Sequence, residues 1–335
     1  MSELTRMAYG LLFPVILDID LTDETVDFLR KGGKSLLLGE TAEEYTSGKL
    51  SAARMENESM ANLKAFTQKA REYAEGLLIA GDADIAAVNR FEGITPLLPS
   101  RTAAQTMSIE ELEKCVFEVS KKIVEAGINL VLSPTADIVT GANQWLANRT
   151  LSDDPEISAR LVKGYVRGAK RAGLMTALKH FPGHPTCSGS PATETATVDC
   201  SLEIIKSLWQ PFEAGIAEGV EGVMLSPALY PDIIGETPAP LSPFFPWTLR
   251  NRFEFSGLII TCDLDHKATQ GTSNIEDVCV SALIAGADLL LLSPRSFNKL
   301  DTIARSIVQA VESGTLRYER FAEAAAKISA VTDHC

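Results

Sequence analysis

The chain has 335 residues, 45% of them hydrophobic and 22% charged, enough length and apolar material for one large core or two ordinary ones. Its 31 basic residues against 44 acidic ones give a formal charge of −13. With no basic run to follow a phosphate backbone, nucleic acid is not expected as a partner. No apolar stretch nears the roughly 20 residues that span a bilayer, and the first ten residues lack a signal peptide's charged start and long apolar centre, so the expectation is no membrane partner and a cytoplasmic location.

In chain order, short apolar runs alternate with longer segments of helical period, the pattern of repeated βα units. Strands are predicted at Val15–Asp18 and Ser35–Leu38, followed by a helix at Asn62–Ala74 and a strand at Leu77–Gly81. A polar stretch, Asp82–Arg101, leads to a helix at Ile109–Ala126 and a strand at Leu130–Ser133. A second polar stretch, Asp137–Pro155, precedes a helix at Ile157–Ala172 and a strand at Leu174–Leu178; a third, Pro185–Asp199, precedes a helix at Leu202–Glu218. Strands at Gly222–Leu225, Leu258–Thr261 and Asp288–Leu292 and helices at Ile275–Ala285, Leu300–Glu312 and Tyr318–Val331 complete the series.

Eight continuous apolar strands imply burial on both faces and closure of the sheet. The expectation is an α/β fold, a single (β/α)8 TIM-type barrel domain over residues 1–335, with a doubly wound open sheet as the alternative. In such a barrel the three polar stretches gather at the carboxyl end of the strands, where function is sought. Six cysteines, Cys115, Cys187, Cys200, Cys262, Cys279 and Cys335, contain no CxxC pair. They read as free thiols, and neither a metal nor another cofactor is expected.

The most informative stretch is Lys179-His180-Phe181-Pro182-Gly183-His184, a cation, two imidazoles and two turn residues directly behind an apolar strand. Asp82 and Asp137 end other strands, with Arg90 and Arg149 in the loops behind them. Two arginines, a lysine and a histidine beside carboxylates suit a ligand rich in hydroxyls, each of which both donates and accepts. Taken singly, each of these residues reads equally as a surface ion pair or strand-end cap.

With those residues in place, the chain resembles glycoside hydrolase family 3, in particular its single-barrel NagZ-type β-N-acetylhexosaminidases. The resemblance rests on Asp82 with Arg90-Phe91, Ser133-Pro134-Thr135-Ala136-Asp137, Asn148-Arg149-Thr150, Lys179–His184, and Phe255-Ser256-Gly257 leading to Thr261-Cys262-Asp263-Leu264. It implies that Asp82, Arg90, Arg149, Lys179 and His180 hold a terminal sugar, and hence a small carbohydrate ligand; it names no protein partner.

The residues that break the bond in that family are altered. Members are retaining enzymes, whose two carboxyl groups stand about 5 Å apart across the scissile bond. Their nucleophile is the first Asp of a Ser-Asp-Asp-Leu string, five residues after a glycine. Counting five from Gly257 reaches Cys262, and Asp263 matches the second Asp, which a one-residue shift on a strand turns to the other face. Cys262 reads as a small packed residue.

The family's acid/base histidine and its Asp partner follow the Lys-His-Phe-Pro-Gly-His string; here Glu194 is the sole ionisable side chain between His184 and Asp199. It can serve as a general acid when burial raises its pKa, and otherwise is a solvated loop carboxylate. Pro227 stands in place of a mouth histidine, and His266 where the family has Met. The expectation is a sugar-binding barrel with lost or strongly reduced hydrolysis of the family type. The alternative is an active β-glycosidase or β-N-acetylhexosaminidase using Asp263 and Glu194, and a barrel whose retained residues only stabilise loops is a third reading.

Overall fold

The computed structural model describes residues 1–333, so Cys335 lies outside the described residues. Eight strands stand side by side in chain order: β1 (Leu12–Ile16), β2 (Ser35–Leu38), β3 (Leu78–Gly81), β4 (Leu130–Val131), β5 (Met175–Phe181), β6 (Gly222–Leu225), β7 (Leu258–Ile260) and β8 (Leu290–Leu292). Every neighbouring pair is parallel, and β8 returns to β1 in the register Leu12–Leu290. A bridge between Ile260 and Leu289 joins β7 to the approach of β8. The sheet is a nearly closed barrel of the (β/α)8 type, not an open doubly wound sheet.

The strands are apolar because both of their faces are covered, by the barrel interior and by the surrounding helices. Leu36, Leu78, Leu178 and Ile259 are fully buried, and each such side chain contributes about 1.5–3 kcal/mol relative to exposure. The helices take their amphipathic places, Ile109–Glu125 with Leu112, Val116, Val119 and Ile123 turned inward and Leu300–Glu312 with Ile303 and Ile307 inward.

Several boundaries differ from the sequence expectation, among them β5, which runs on through Phe181, and β8, which starts at Leu290. The first strand starts at Leu12 rather than Val15. The segment expected as one helix from Leu202 to Glu218 is two, Leu202–Ser207 and Gln210–Ala217. Pro211 lies in the first turn of the second and has no N–H to bond back to a preceding turn, so the helix cannot run through it.

The stretches after β3, β4 and β5 meet at the carboxyl end of the barrel, where bridges join Thr135 to Lys179 and Asn143 to Cys187. A further excursion, residues 40–58 after β2, carries two short helices, Ala42–Ser47 and Ala52–Asn57. Thr41 and Glu44 form a reciprocal capping box at the start of the first, and Gly48, at φ 67°, ends it in the left-handed conformation that glycine adopts without penalty. No helix among the described residues is long and apolar enough to cross a membrane.

Candidate active site

Lys179, near the end of β5, ion-pairs with Asp82, just beyond β3, and its Nζ lies 2.8 Å from Asp84 Oδ2. Burial alone would push the lysine pKa down, but the two carboxylates outweigh it and hold the ammonium above its ordinary range. Asp82 is raised, first by burial and then by Asp84, against the pull of Lys179. Asp84 Oδ1 also accepts from the Thr135 amide and hydroxyl, both at 3.1 Å, tying the loop after β4 to the one after β3.

Beside this cluster, Asp137 collects two imidazoles. Its Oδ2 accepts from the His180 amide at 2.8 Å and from His180 Nδ1 at 2.9 Å, and its Oδ1 accepts from His184 Nδ1 at 2.8 Å. A carboxylate only accepts, so both rings donate from Nδ1. The turn that folds His184 back beside His180 runs through Gly183, whose φ of 111° requires glycine and whose N–H bonds the His180 carbonyl at 2.7 Å. Trp209 Nε1 on Pro182 O and Tyr230 Oη on Gly183 O brace that turn.

Burial would raise the Asp137 carboxyl, but the two imidazoles outweigh it and hold it well below the usual carboxylate range. Burial likewise pushes His180 down to about 4, against the pull of Asp137. With Nδ1 donating and the ring neutral at pH 7, Nε2 of His180 is left as an acceptor. The Trp145 ring covers His180 at 4.5 Å between centroids and meets His184 edge-on at 4.9 Å.

Asp137, His180 and His184 are the one group among the described residues whose potential metal-ligand atoms lie close together, within 4.8 Å. Both Asp137 oxygens and both His184 nitrogens are already engaged, the latter through Nε2 on the Ser226 hydroxyl at 2.9 Å. A metal would have to break those bonds, and the set reads as a closed hydrogen-bond network.

The two arginines take different positions. Arg149 follows Asn148, which adopts φ 63°, a conformation asparagine tolerates. Its guanidinium lies 4.2 Å from the centre of the Tyr45 ring, within electrostatic reach of Asp82 and Asp84. Arg90 is 1% exposed. It bonds Gly39 O through Nε at 3.1 Å and Glu58 through Nη2 at 2.8 Å, turned toward the excursion after β2. Glu40, at the root of that excursion, has its Oε1 buried without a hydrogen-bond partner.

Cys262 and Asp263 follow β7, whose ladder stops at Ile260, and the Cys262 thiol lies 3.9 Å from Asp263 Oδ2. The buried Cys262 thiol, pushed far up by burial and then by Asp263, is within electrostatic range of Lys179 and Asp82. The Asp263 carboxyl beside it, raised by burial, is also influenced by His266, Asp265 and Arg295, with His266 Nδ1 at 3.7 Å. Glu194 is exposed, on the turn packed against Gly189.

The model of the glycosyl hydrolase family 3 N-terminal domain matches residues 40–331. The chain belongs to glycosyl hydrolase family 3. It is 30% identical over 243 residues, 70% of this chain and 72% of the relative, to a protein named beta-hexosaminidase from Xylella fastidiosa strain M12. Another of that name, from Stenotrophomonas maltophilia strain K279a, is 30% identical over 224 residues, covering 64% of this chain and 66% of the relative.

Among solved structures, the barrel superposes on a family 3 beta-N-acetylglucosaminidase from Paenibacillus sp. with a TM-score of 0.88 at 23% identity. The match takes in 99% of this chain and 62% of that one, so the chain spans less than two thirds of the Paenibacillus protein. A beta-N-acetylhexosaminidase from Beutenbergia cavernae matches with a TM-score of 0.87 at 21% identity over 99% of both chains. At those identities the likeness is one of fold.

In this family 3 barrel, Asp82, Lys179, Arg149 and His180 come together at one mouth, Arg90 faces the neighbouring excursion, and Asp263 and Glu194 do not meet the group. Three mouth residues escape a reading of the sequence: Asp84, Tyr45 and Trp145. Asp84 carries a usable signal, since residues two apart on an extended chain face the same way and Asp82 already ends a strand. Tyr45 and Trp145 carry none, because irregular loops bring them to the site.

Proposed function

We propose that this family 3 barrel binds a sugar, an N-acetylhexosamine or related β-glycoside, at the carboxyl end of its strands in the cytoplasm, as one domain over residues 1–335, with hydrolysis of the family type lost or strongly reduced. The observation that carries the reading is the buried Cys262 thiol just beyond β7. The side chain within electrostatic range of Lys179 and Asp82 is a thiol whose pKa is pushed far up, while the adjacent Asp263 carboxyl has His266 Nδ1 at 3.7 Å. A protonated thiol is a poor nucleophile, and an exposed Glu194 lacks the burial that would make it a general acid near neutral pH.

Asp82, Arg149, Lys179 and His180 are the proposed sugar contacts, with Arg90 as a support behind them. The test is thermal unfolding with and without N-acetylglucosamine, where binding to the folded state raises the melting temperature by mass action. No shift across a panel of sugars would sink the binding claim.

A second reading, an active β-glycosidase, has one observation in its favour. Asp263 and His266 form a carboxylate–imidazole pair next to the strand end. That reading requires cleavage of chromogenic β-glycosides by the wild type and its loss in Asp263→Asn, and activity that survives the substitution rules Asp263 out as the nucleophile.

A further inference from the structure

The excursion after β2 is fixed by buried ion pairs rather than by an apolar core of its own. Arg54 bonds Glu44 through Nε at 2.9 Å and Glu58 through Nη1 at 2.8 Å, and Glu58 is bonded in turn by Arg90 at 2.8 Å. Arg54 Nη1 also donates to the Leu17 carbonyl at 2.6 Å, fastening the chain of charges to the end of β1. Removing one member of such a chain leaves uncompensated charge in the interior, so the latch holds or releases as a unit.

Glu44 and Tyr45 are neighbours on the same short helix. As Glu44 is drawn into the latch, Tyr45 is swung the other way, over the mouth. There the half-buried ring stacks on Arg149 and lies within electrostatic range of Lys179, Asp82 and Cys262, three of the four proposed sugar contacts plus the residue at the nucleophile position. A sugar that used the Arg149 guanidinium as a hydrogen-bond donor in that space would meet the ring.

We infer that residues 41–58 form a lid latched by Glu44, Arg54, Glu58 and Arg90, and that Tyr45 is its stopper, a specificity-determining residue that a ligand must move off Arg149 to enter the pocket. The inference rests on the sugar-pocket reading for the nature of the ligand, but not for the existence of the lid. It gives Arg90 a duty on this chain other than touching sugar. It also makes the opening of the lid, rather than the pocket behind it, the step that sets which ligands are admitted.

Two measurements test it on the full chain. The first needs no sugar: the rate at which methyl methanethiosulfonate labels Cys262, located by peptide mass, in wild type, Tyr45→Phe and Tyr45→Ala. Opening a local barrier raises labelling in proportion to the open population, so Tyr45→Ala is expected to gain about tenfold while Tyr45→Phe stays near wild type. Equal rates in all three overturn the lid.

Should Tyr45→Ala fail to fold, hydrogen exchange of the wild type decides the matter. Residues 41–58 are expected to exchange together and ahead of the barrel strands, and protection equal to that of the strands overturns the lid. The second measurement is calorimetric titration with N-acetylglucosamine, in which Tyr45→Ala is expected to bind more tightly than wild type. Weaker binding makes Tyr45 a stacking platform and overturns the stopper. If no variant binds any sugar, the sugar-pocket reading fails, while Cys262 labelling still decides the lid.

Discussion

Lys179 Nζ lies 2.8 Å from Asp84 Oδ2, a pair joining β5 to the loop after β3 with both side chains nearly sealed from water. Because the ammonium also pairs with Asp82, it is the charge that lets two carboxylates share one buried place. Lys179→Met is therefore expected to destabilise the fold by about 3–5 kcal/mol at pH 7. Much of that loss should be recovered in the triple variant that adds Asp82→Asn and Asp84→Asn. Denaturant unfolding checks both values, and a loss within about 0.5 kcal/mol, as for an exposed pair, would count against a buried triad.

Arg149→Ala removes the cation beneath Tyr45 while leaving the Lys179 ion pairs with Asp82 and Asp84 in place. The rise in melting temperature produced by N-acetylglucosamine in the wild type is expected to disappear in this variant, while its ligand-free melting temperature shifts by no more than about 2–4 °C. A sugar-induced rise of undiminished size would remove Arg149 from the binding site.

The position of Cys262 leads to a gain-of-function expectation. Cys262→Asp returns a carboxylate to the place beside Lys179 and Asp82 where the family's nucleophile would stand. With a dinitrophenyl β-glycoside, whose leaving group needs no protonation, hydrolysis should rise at least about tenfold over wild type. No gain in a folded variant would overturn the proposal that Cys262 at this position limits hydrolysis.

Glu40 and His180 pull stability in opposite directions with pH. Burial first, and then the charge of Asp82, push the Glu40 carboxyl from 4.5 up to about 8. Between those values the folded chain keeps a proton that the unfolded chain has lost, so the Glu40 contribution to stability falls as pH rises through that window. His180, pushed from 6.5 down to about 4, costs stability as pH falls through its own window, where the unfolded chain binds the extra proton. In Glu40→Gln only the second dependence remains. Its melting temperature relative to wild type should climb by about 4–8 °C between pH 5 and pH 9, and a gap that stays constant with pH would show that Glu40 is not held neutral.

The barrel itself was legible because its signals are local. Each strand is a short apolar run and each helix has its own period, and Ile275–Ala285 and Leu300–Glu312 fall where that pattern ends. The broken helix at Gln210 was also within reach, since Pro211 is visible in the sequence. The lid was not. Thr41 and Ser51 cap its two six-residue helices, yet no periodicity announces a helix that short. Arg54 and Glu58 stand four residues apart and pair locally, but that Arg54 also reaches Glu44 is a fact of tertiary packing. The same holds for Cys262 and Asp263, whose alternation followed from a strand rule but whose surroundings, Lys179 near the thiol and His266 near the carboxyl, depend on how the chain turns after Ile260.

The contact between Trp145 and His180 gives the mouth its own optical probe. Of the chain's three tryptophans, Trp209 is sealed in the core and Trp247 is 60% exposed at the surface, so Trp247 should not register events among the strand ends, and Trp209 meets them only through the turn it braces at Pro182. Trp145 alone rests on the imidazole that faces the proposed ligand. Its emission would report, without any label, whether a sugar has come between ring and imidazole, and with Trp247→Phe in the background the signal would come from the mouth against a buried internal standard.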